Sequence, residues 1–472
     1  MNSPDTRTVV PPEIPARPRL GVVFAVVAAG VAMSNLDVFI VNVALPQIGG
    51  HFADASLSSL SWVLNAYAVV FAALLVPAGN LADRTGPRRA YLVGIAVFTV
   101  ASVLCAVAPG VWTLVAARVA QAAGAALLMP ASLGLLLASA PPERRGSMVR
   151  AWTAISGLAA ALGPVVGGVL TQFDWRWVFL VNVPIGVAVL VAGPRVLPRT
   201  AGGGRADTAR PDLPGAALLT AAIALLALGL VKGDDWGPGG VAGTLAVAAL
   251  LFAWFVYRSG RHPSPVLPLP LLRVPGFGPA TVANVLFAVA FAAMLLSVVL
   301  WCEQIWHWSA LRTGLAIAPG PIMVPALAIG AGPIVRRVGA GPIAVAGCVF
   351  FAGGIAWWVW RLTPDAGYAQ GMLPGMLLTG IGVGLTLPTL IGAAVTALPP
   401  RSFSTGSGVV TMARQVGTVL GVAMLVAALG VPRGTAEALD AFDAGWHLTL
   451  LATAAAAVAG LCVRRRSGGE NS

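Results

Sequence analysis

From Leu20 to Val463 the chain alternates apolar runs of about twenty residues with short breaks rich in Gly, Pro and Arg. A run of that length covers a hydrocarbon core of roughly 30 Å as a helix, and a helix satisfies its own backbone hydrogen bonds there. The pattern predicts an all-α, polytopic membrane protein with fourteen spans. They lie near 20–48, 57–80, 89–109, 112–139, 147–171, 177–198, 213–232, 241–259, 276–302, 311–335, 341–361, 368–397, 404–430 and 445–463. The expected organisation is a tail (1–19), a six-span bundle (20–198), a linker (199–212), two additional spans (213–259), a linker (260–275), a second six-span bundle (276–463) and a tail (464–472).

Composition agrees: 58% of the 472 residues are hydrophobic and 10% charged, where soluble domains carry roughly 25% charge. A net charge of +12 would suggest nucleic acid for a soluble protein, so placement decides. With a cytoplasmic N-terminus, twenty-two Arg fall in inner segments, including Arg7, Arg17, Arg19, Arg84, Arg88, Arg89, Arg144, Arg145, Arg195, Arg199, Arg336, Arg337 and Arg464 to Arg466. The outer segments hold only Arg176, Lys232, Arg312, Arg361 and Arg433; Arg118 and Arg414 fall inside spans. This bias puts both termini in the cytoplasm and argues for a membrane partner, not nucleic acid. It also requires an even number of spans, since one more or one fewer would invert every later loop. The start resembles a signal peptide, but its apolar run continues through Asp37 to Ile48, so no cleavage is expected. Cys105, Cys302, Cys348 and Cys462 form no CxxC pair and read as small core residues; no metal or cofactor is expected. Trp175, Trp177, Trp301, Trp306, Trp308, Trp357, Trp358 and Trp360 sit where membrane interfaces are predicted and read as aromatic belts.

Two echoes relate the halves. GNLADRTGPRR (Gly79 to Arg89) and GPIVRRVGAGP (Gly332 to Pro342) share Gly, Arg and Gly at offsets 0, 5 and 7; PPERRGS from Pro141 pairs with PPRSFSTGS from Pro399. Repeated six-span halves with an inserted pair of spans make a transporter architecture. The first segment resembles the loop motif of the major facilitator superfamily, with Gly79, Asp83, Arg84, Gly86 and Arg88 in place. LDVFIVNVALPQI (Leu36 to Ile48), ARVAQAAGAA (Ala117 to Ala126) and GLAAALGPVVGG (Gly157 to Gly168) extend the likeness, the last resembling that family's antiporter motif. DWRWVFLVNVP (Asp174 to Pro184), Asp212 and RQVGTVLG (Arg414 to Gly421) are similar to its fourteen-helix drug and proton antiporter branch.

Asp37 is the only acid well inside a span, where a carboxylate costs several kcal/mol unless it is paired or protonated. It reads either as a proton carrier or as a permanently paired group with Arg118 as the partner. A rise of about 1.5 Å per residue puts Asp37 about 16 Å and Arg118 about 10 Å below the outer ends of their spans, a compatible depth. The resemblance carries proton coupling onto Arg118, through its motif with Gln121 and Gly124. Gly79 and Gly86 read as turn glycines, and the resemblance makes their loop a conformational latch. In the fifth span Ser156, Ala160, Pro164 and Gly168 lie at i, i+4 spacing beside a stripe of Gly163 and Gly167, a smooth face for close helix approach with a bend at Pro164. The resemblance associates Gly157, Gly163, Pro164, Gly167 and Gly168 with sealing the pathway in exporters. Asn42, Gln121, Arg414 and Gln415 are candidate cavity or substrate residues, Arg414 because an uncompensated guanidinium inside a span is costly unless it faces the central cavity or a polar partner such as Gln415. Glu303 and His307 read as solvated outer residues.

The spans hold one acid, two arginines and many apolar residues, which suits a large amphiphile. No GxSxG, HExxH or GxxxxGK[ST] is present, which argues against an enzyme. The expected protein is a secondary transporter of the bacterial inner membrane, moving a small molecule against protons, as a monomer. A proton-coupled importer on the same fold is the alternative.

Overall fold

The computed structural model describes residues 20–52, 57–198, 212–231, 233–430 and 434–463, all helix and connections with no strand among them. The first helices are α1 (Leu20–His51), α2 (Leu57–Thr85), α3 (Pro87–Ala106), α4 (Val111–Ser139), α5 (Pro142–Thr171), α6 (Trp177–Leu180) and α7 (Asn182–Val196). A middle pair, α8 (Leu213–Val231) and α9 (Gly233–Ser259), precedes α10 (Phe277–Leu300), α11 (Ala310–Ile317), α12 (Pro319–Gly330), α13 (Gly332–Val338), α14 (Ala340–Arg361), α15 (Leu373–Thr396), α16 (Phe403–Leu429) and α17 (Thr435–Leu461). Twelve described helices are long and apolar enough to cross a membrane. The tails, residues 199–211 of the first linker, and the charges at Lys232 and Arg433 lie outside the described residues.

Several boundaries differ from the hydropathy pattern, each for a local reason. The expected span 311–335 is three helices, because Pro319 and Pro333 each open a new one. The α2 helix continues five residues beyond its apolar run, to Thr85. Gly79, Asp83 and Arg84 are therefore helical, and only Gly86, at φ 95°, makes the turn. Gly339, seven residues after Gly332 as Gly86 is after Gly79, adopts φ 103° and also precedes a helix. The sequence echo is thus a shared backbone conformation, one that a side chain disfavours.

Among the described residues, three cores hold the helices. One joins helices from α1–α7 (the first bundle), the middle pair and α10–α17 (the second bundle) at the end that carries Asp83, with Leu75 and Leu136 from the first, Phe403 and Val410 from the second, and Leu219 from α8. At the opposite end the cores are separate: Ile48, Trp175 and Phe179 belong to the first bundle, Trp301, Trp358 and Trp446 to the second. Several tryptophans expected in interfacial belts are core residues. The Trp301 and Trp446 rings lie 5.0 Å apart, tilted by 38°, Trp358 donates to the Met372 carbonyl at 3.0 Å, and only Trp177 and Trp360 of the group are strongly exposed. Cys105, Cys302 and Cys348 are buried as expected, whereas Cys462 is exposed. Asp212 caps α8 through Gly215 N–H at 2.9 Å and receives Arg258 Nε at 2.7 Å, tying the two middle helices together.

Candidate functional site

The first bundle encloses a polar knot. Asp37 on α1 is fully buried, and its Oδ2 receives Arg118 Nη1 from α4 at 2.5 Å. Its Oδ1 accepts Nε2 of Gln121 and Nδ2 of Asn182, each at 2.9 Å. Arg118 also donates to the Val63 carbonyl of α2 at 3.1 Å and to Gln121 Oε1 at 2.6 Å. Its guanidinium lies 4.2 Å from the centre of the Tyr67 ring. Gln121 reaches Ser102 of α3 at 2.9 Å. Five helices thus converge on one ion pair, satisfying the condition for keeping charge in an apolar interior: a counterion and hydrogen bonds for the remaining lone pairs. Gln121, expected beside a cavity, is fully buried within this knot. Asn182, Ser102 and Tyr67 were not singled out from sequence; Asn182 stands inside the quoted segment DWRWVFLVNVP, but a neutral amide in a span carries no signal of its own.

At the joined end Asp83 reaches across to the second bundle. Its Oδ1 accepts Ser404 N–H at 3.0 Å and its Oδ2 accepts Thr405 N–H at 2.7 Å and Thr405 Oγ1 at 2.6 Å. Two of these three donors are backbone N–H groups in the first turn of α16, whose own N-cap residue Ser402 makes no side-chain cap. A carboxylate there satisfies orphan N–H groups and opposes the positive end of the helix dipole. Gly79 lies one turn earlier on α2 because of space rather than turning: a Cβ would sit 2.6 Å from the Ser404 carbonyl oxygen. Arg84 binds Ser264 Oγ at 2.5 Å beyond α9, Arg88 donates to the Pro194 carbonyl at the end of α7, and Arg145 lies 5.1 Å from the Phe403 ring centre. The residues expected to form a loop latch therefore join four parts of the chain.

Helix α5 runs unbroken through position 164. Its glycines do different things: Gly163 faces Phe39 of α1, Gly167 would place a Cβ 3.2 Å from the Ile40 and Val43 atoms, Gly157 faces Val324 of α12 at 3.4 Å, and Gly168 borders open space. The expected smooth face thus lies on the Gly163–Gly167 stripe, and the Pro164 side chain lies outside the described residues. Asn42 is exposed, Arg414 and Gln415 are partly exposed on α16, and Glu303 and His307 are exposed.

The family model of the Major Facilitator Superfamily matches residues 27–422. The cephamycin export protein CmcT of Amycolatopsis lactamdurans is 36% identical over 402 residues, covering 84% of this chain and 82% of that protein. The methylenomycin A resistance protein of Streptomyces coelicolor is 34% identical over 421 residues, covering 88% and 87%. The tetracenomycin C resistance and export protein of Streptomyces glaucescens is 35% identical over 407 residues, covering 84% and 74%. Among solved structures, the human organic anion transporter MFSD10 superposes with a TM-score of 0.67 at 14% identity, covering 93% of this chain and 100% of that one. At that identity the likeness speaks for the fold alone.

Proposed function

The chain belongs to the Major Facilitator Superfamily, and from that premise we propose that it is a proton-coupled efflux antiporter exporting amphiphilic small molecules, such as drugs, antibiotics or secondary metabolites, by alternating access. Relatives named for antibiotic export and resistance support the direction and the class of cargo. The observation that carries the coupling is the Asp37–Arg118 pair, a fully buried charge pair in the membrane interior whose carboxylate can lose its partners when the helices move. Asp37 is the proton site and Arg118 its buried partner.

In this reading α5, 30 residues long, and α8, 19 residues long, also cross the membrane and bring the spans to fourteen, placing the chain in the fourteen-helix branch with both termini in the cytoplasm of a bacterial inner membrane. Residues 20–198 and 276–463 are the two six-span bundles, with the middle pair of helices between them and a monomer as the working unit. Gly79, Asp83, Arg84, Gly86 and Arg88 form the cytoplasmic latch. The joined core at the Asp83 end and the separate cores opposite support a state closed to the cytoplasm and parted outside. The Gly163–Gly167 stripe seals α5 on α1.

The test is substrate-triggered proton release from energised everted vesicles, followed with an acridine dye. Wild-type protein should release protons on addition of an exported amphiphile, and Asp37→Asn protein at matched expression should not. A protonophore should abolish transport and ATP depletion spare it. Undiminished proton release in Asp37→Asn would remove Asp37 as the coupling acid, and dependence on ATP would remove the antiporter reading.

A further inference from the structure

Arg414 lies eleven residues into α16, about 16 Å along it. The helical repeat of 100° per residue puts it on the face of Ser407 and Gly421, seven residues away on either side, and of Leu425, eleven residues on; all three are buried. The exposed Leu420, Val422 and Val426 lie about 80° to 120° around the helix. The accessible part of Arg414 therefore opens to interior space, not to lipid. Its guanidinium makes no hydrogen bond or ion pair to any described residue; beyond the helix's own backbone bonds, only its carbonyl is engaged, by Thr418 Oγ1 at 3.0 Å. Asp37, the acid deep inside a span, is already neutralised by Arg118, so the charge of Arg414 is uncompensated.

Two more polar groups beside it lack partners. Asn284 on α10 is fully buried and donates Nδ2 to the Val410 carbonyl, one turn below Arg414, at 3.3 Å, while its Oδ1 accepts nothing. Ser407 Oγ, two turns below, is buried and unpaired. The internal repeat shows how unusual this is. Counting fifteen residues from Pro141 and from Pro399 makes Ser156 of α5 the counterpart of Arg414, and there Ser156 Oγ receives Asn35 Nδ2 of α1 at 3.4 Å. The first half closes its polar contact within the protein; the second half carries a cation at the matching place and leaves it open.

We propose that Arg414, with Asn284, is an anion-recognition site, and that the chain favours amphiphiles bearing a carboxylate with a neighbouring N–H or O–H donor. Arg414 holds the carboxylate and Asn284 Oδ1 accepts the donor, about one helical turn, roughly 5.4 Å, away. This deepens the efflux reading and rests on it only for the direction of transport, because binding needs no gradient.

The experiment measures equilibrium binding of 2-naphthoylglycine and of its primary amide to the purified full chain in lipid nanodiscs. Wild-type protein should bind the acid at least tenfold more tightly than the amide. Arg414→Gln should lose that preference while still binding the amide, and Arg414→Lys should keep part of it. Asn284→Ala should weaken both ligands. Equal binding of acid and amide by wild-type protein, or an undiminished preference in Arg414→Gln, would overturn the proposal. The wild-type comparison holds even if a variant misfolds. Failure of proton-coupled efflux with the acid preference intact would instead count against the antiporter reading alone.

Discussion

Asp83→Asn should loosen the joined end of the protein by an amount that can be worked from its contacts. The carboxylate accepts three hydrogen bonds, two from backbone N–H groups in the first turn of α16. A cap of that kind contributes about 0.5–2 kcal/mol, and the charge at the helix N-terminus a further 0.3–1 kcal/mol. An asparagine keeps one acceptor oxygen, loses the charge and turns an N–H donor towards another donor. The expected loss is about 1–3 kcal/mol, spent entirely on contact between the bundles, which corresponds to roughly a 5- to 150-fold shift towards the state parted at this end. Spin labels at Thr85 and Val338, exposed positions on opposite bundles, would report it by pulsed electron-spin distance measurement. Cys462 must first be replaced, whereas Cys105, Cys302 and Cys348 are buried. The variant should show a second, longer distance that wild-type protein populates weakly, and Gly79→Ala should do the same by crowding the Ser404 carbonyl. A distance distribution identical to wild type in Asp83→Asn would refute the latch.

Asp37→Asn should cost more than coupling: it leaves Arg118 buried without a counterion, a loss of about 3–5 kcal/mol, visible as a lower melting temperature in detergent. Asp37→Asn combined with Arg118→Gln should recover much of that stability and none of the proton release; wild-type stability in the single variant would contradict the burial argument. Gly163→Ala should destabilise by about 1–3 kcal/mol through overpacking against Phe39 and slow proton release, while Gly168→Ala, bordering open space, should melt and transport as wild type. Equal effects at the two glycines would show that the stripe does not seat α5 on α1. Gly86→Ala, forced to φ 95°, should cost about 1–2 kcal/mol, read in the same melts.

Twelve of the fourteen expected spans were legible because twenty apolar residues leave few alternatives, and Asp37 and Arg118 because charge in a span demands a reason. What surrounds them was not. Asn182, Ser102 and Tyr67 are ordinary residues in apolar helices, and only three-dimensional convergence gives them a role. Glycine was the most ambiguous letter. Gly79 and Gly86 looked alike as turn residues, yet Gly86 is needed for its backbone angle and Gly79 for its missing side chain against Ser404. Tryptophan misled in the same way, since an amphipathic ring suits a membrane interface and a packed core equally well: Trp306 bonds the Thr363 carbonyl at 2.9 Å from a buried position.

The placement of the two acids bears on how export could be coupled. Asp83 bridges the bundles, so parting them breaks its bonds directly. Every partner of Asp37 lies within the first bundle, so the same movement leaves the ion pair whole unless something transmits it. Helix α5 touches both sides: Gly157 meets Val324 of the second bundle, and Gly163 and Gly167 meet Phe39 and Ile40, neighbours of Asp37 on α1. At these glycines the neighbouring helix approaches closely, and a tightly packed contact transmits displacement because there is little space to compress. A shift of α12 against α5 would thus move α1 relative to α4 and α7, stretching Asp37 from Arg118 and Asn182 together. Parted from both, the carboxylate is left without its counterion in a dry interior, so proton exchange there would follow the bundle movement rather than drive it from outside. The contrast between Gly163→Ala and Gly168→Ala separates this arrangement from one in which Asp37 responds to substrate alone, because only the first alters the seat of α1.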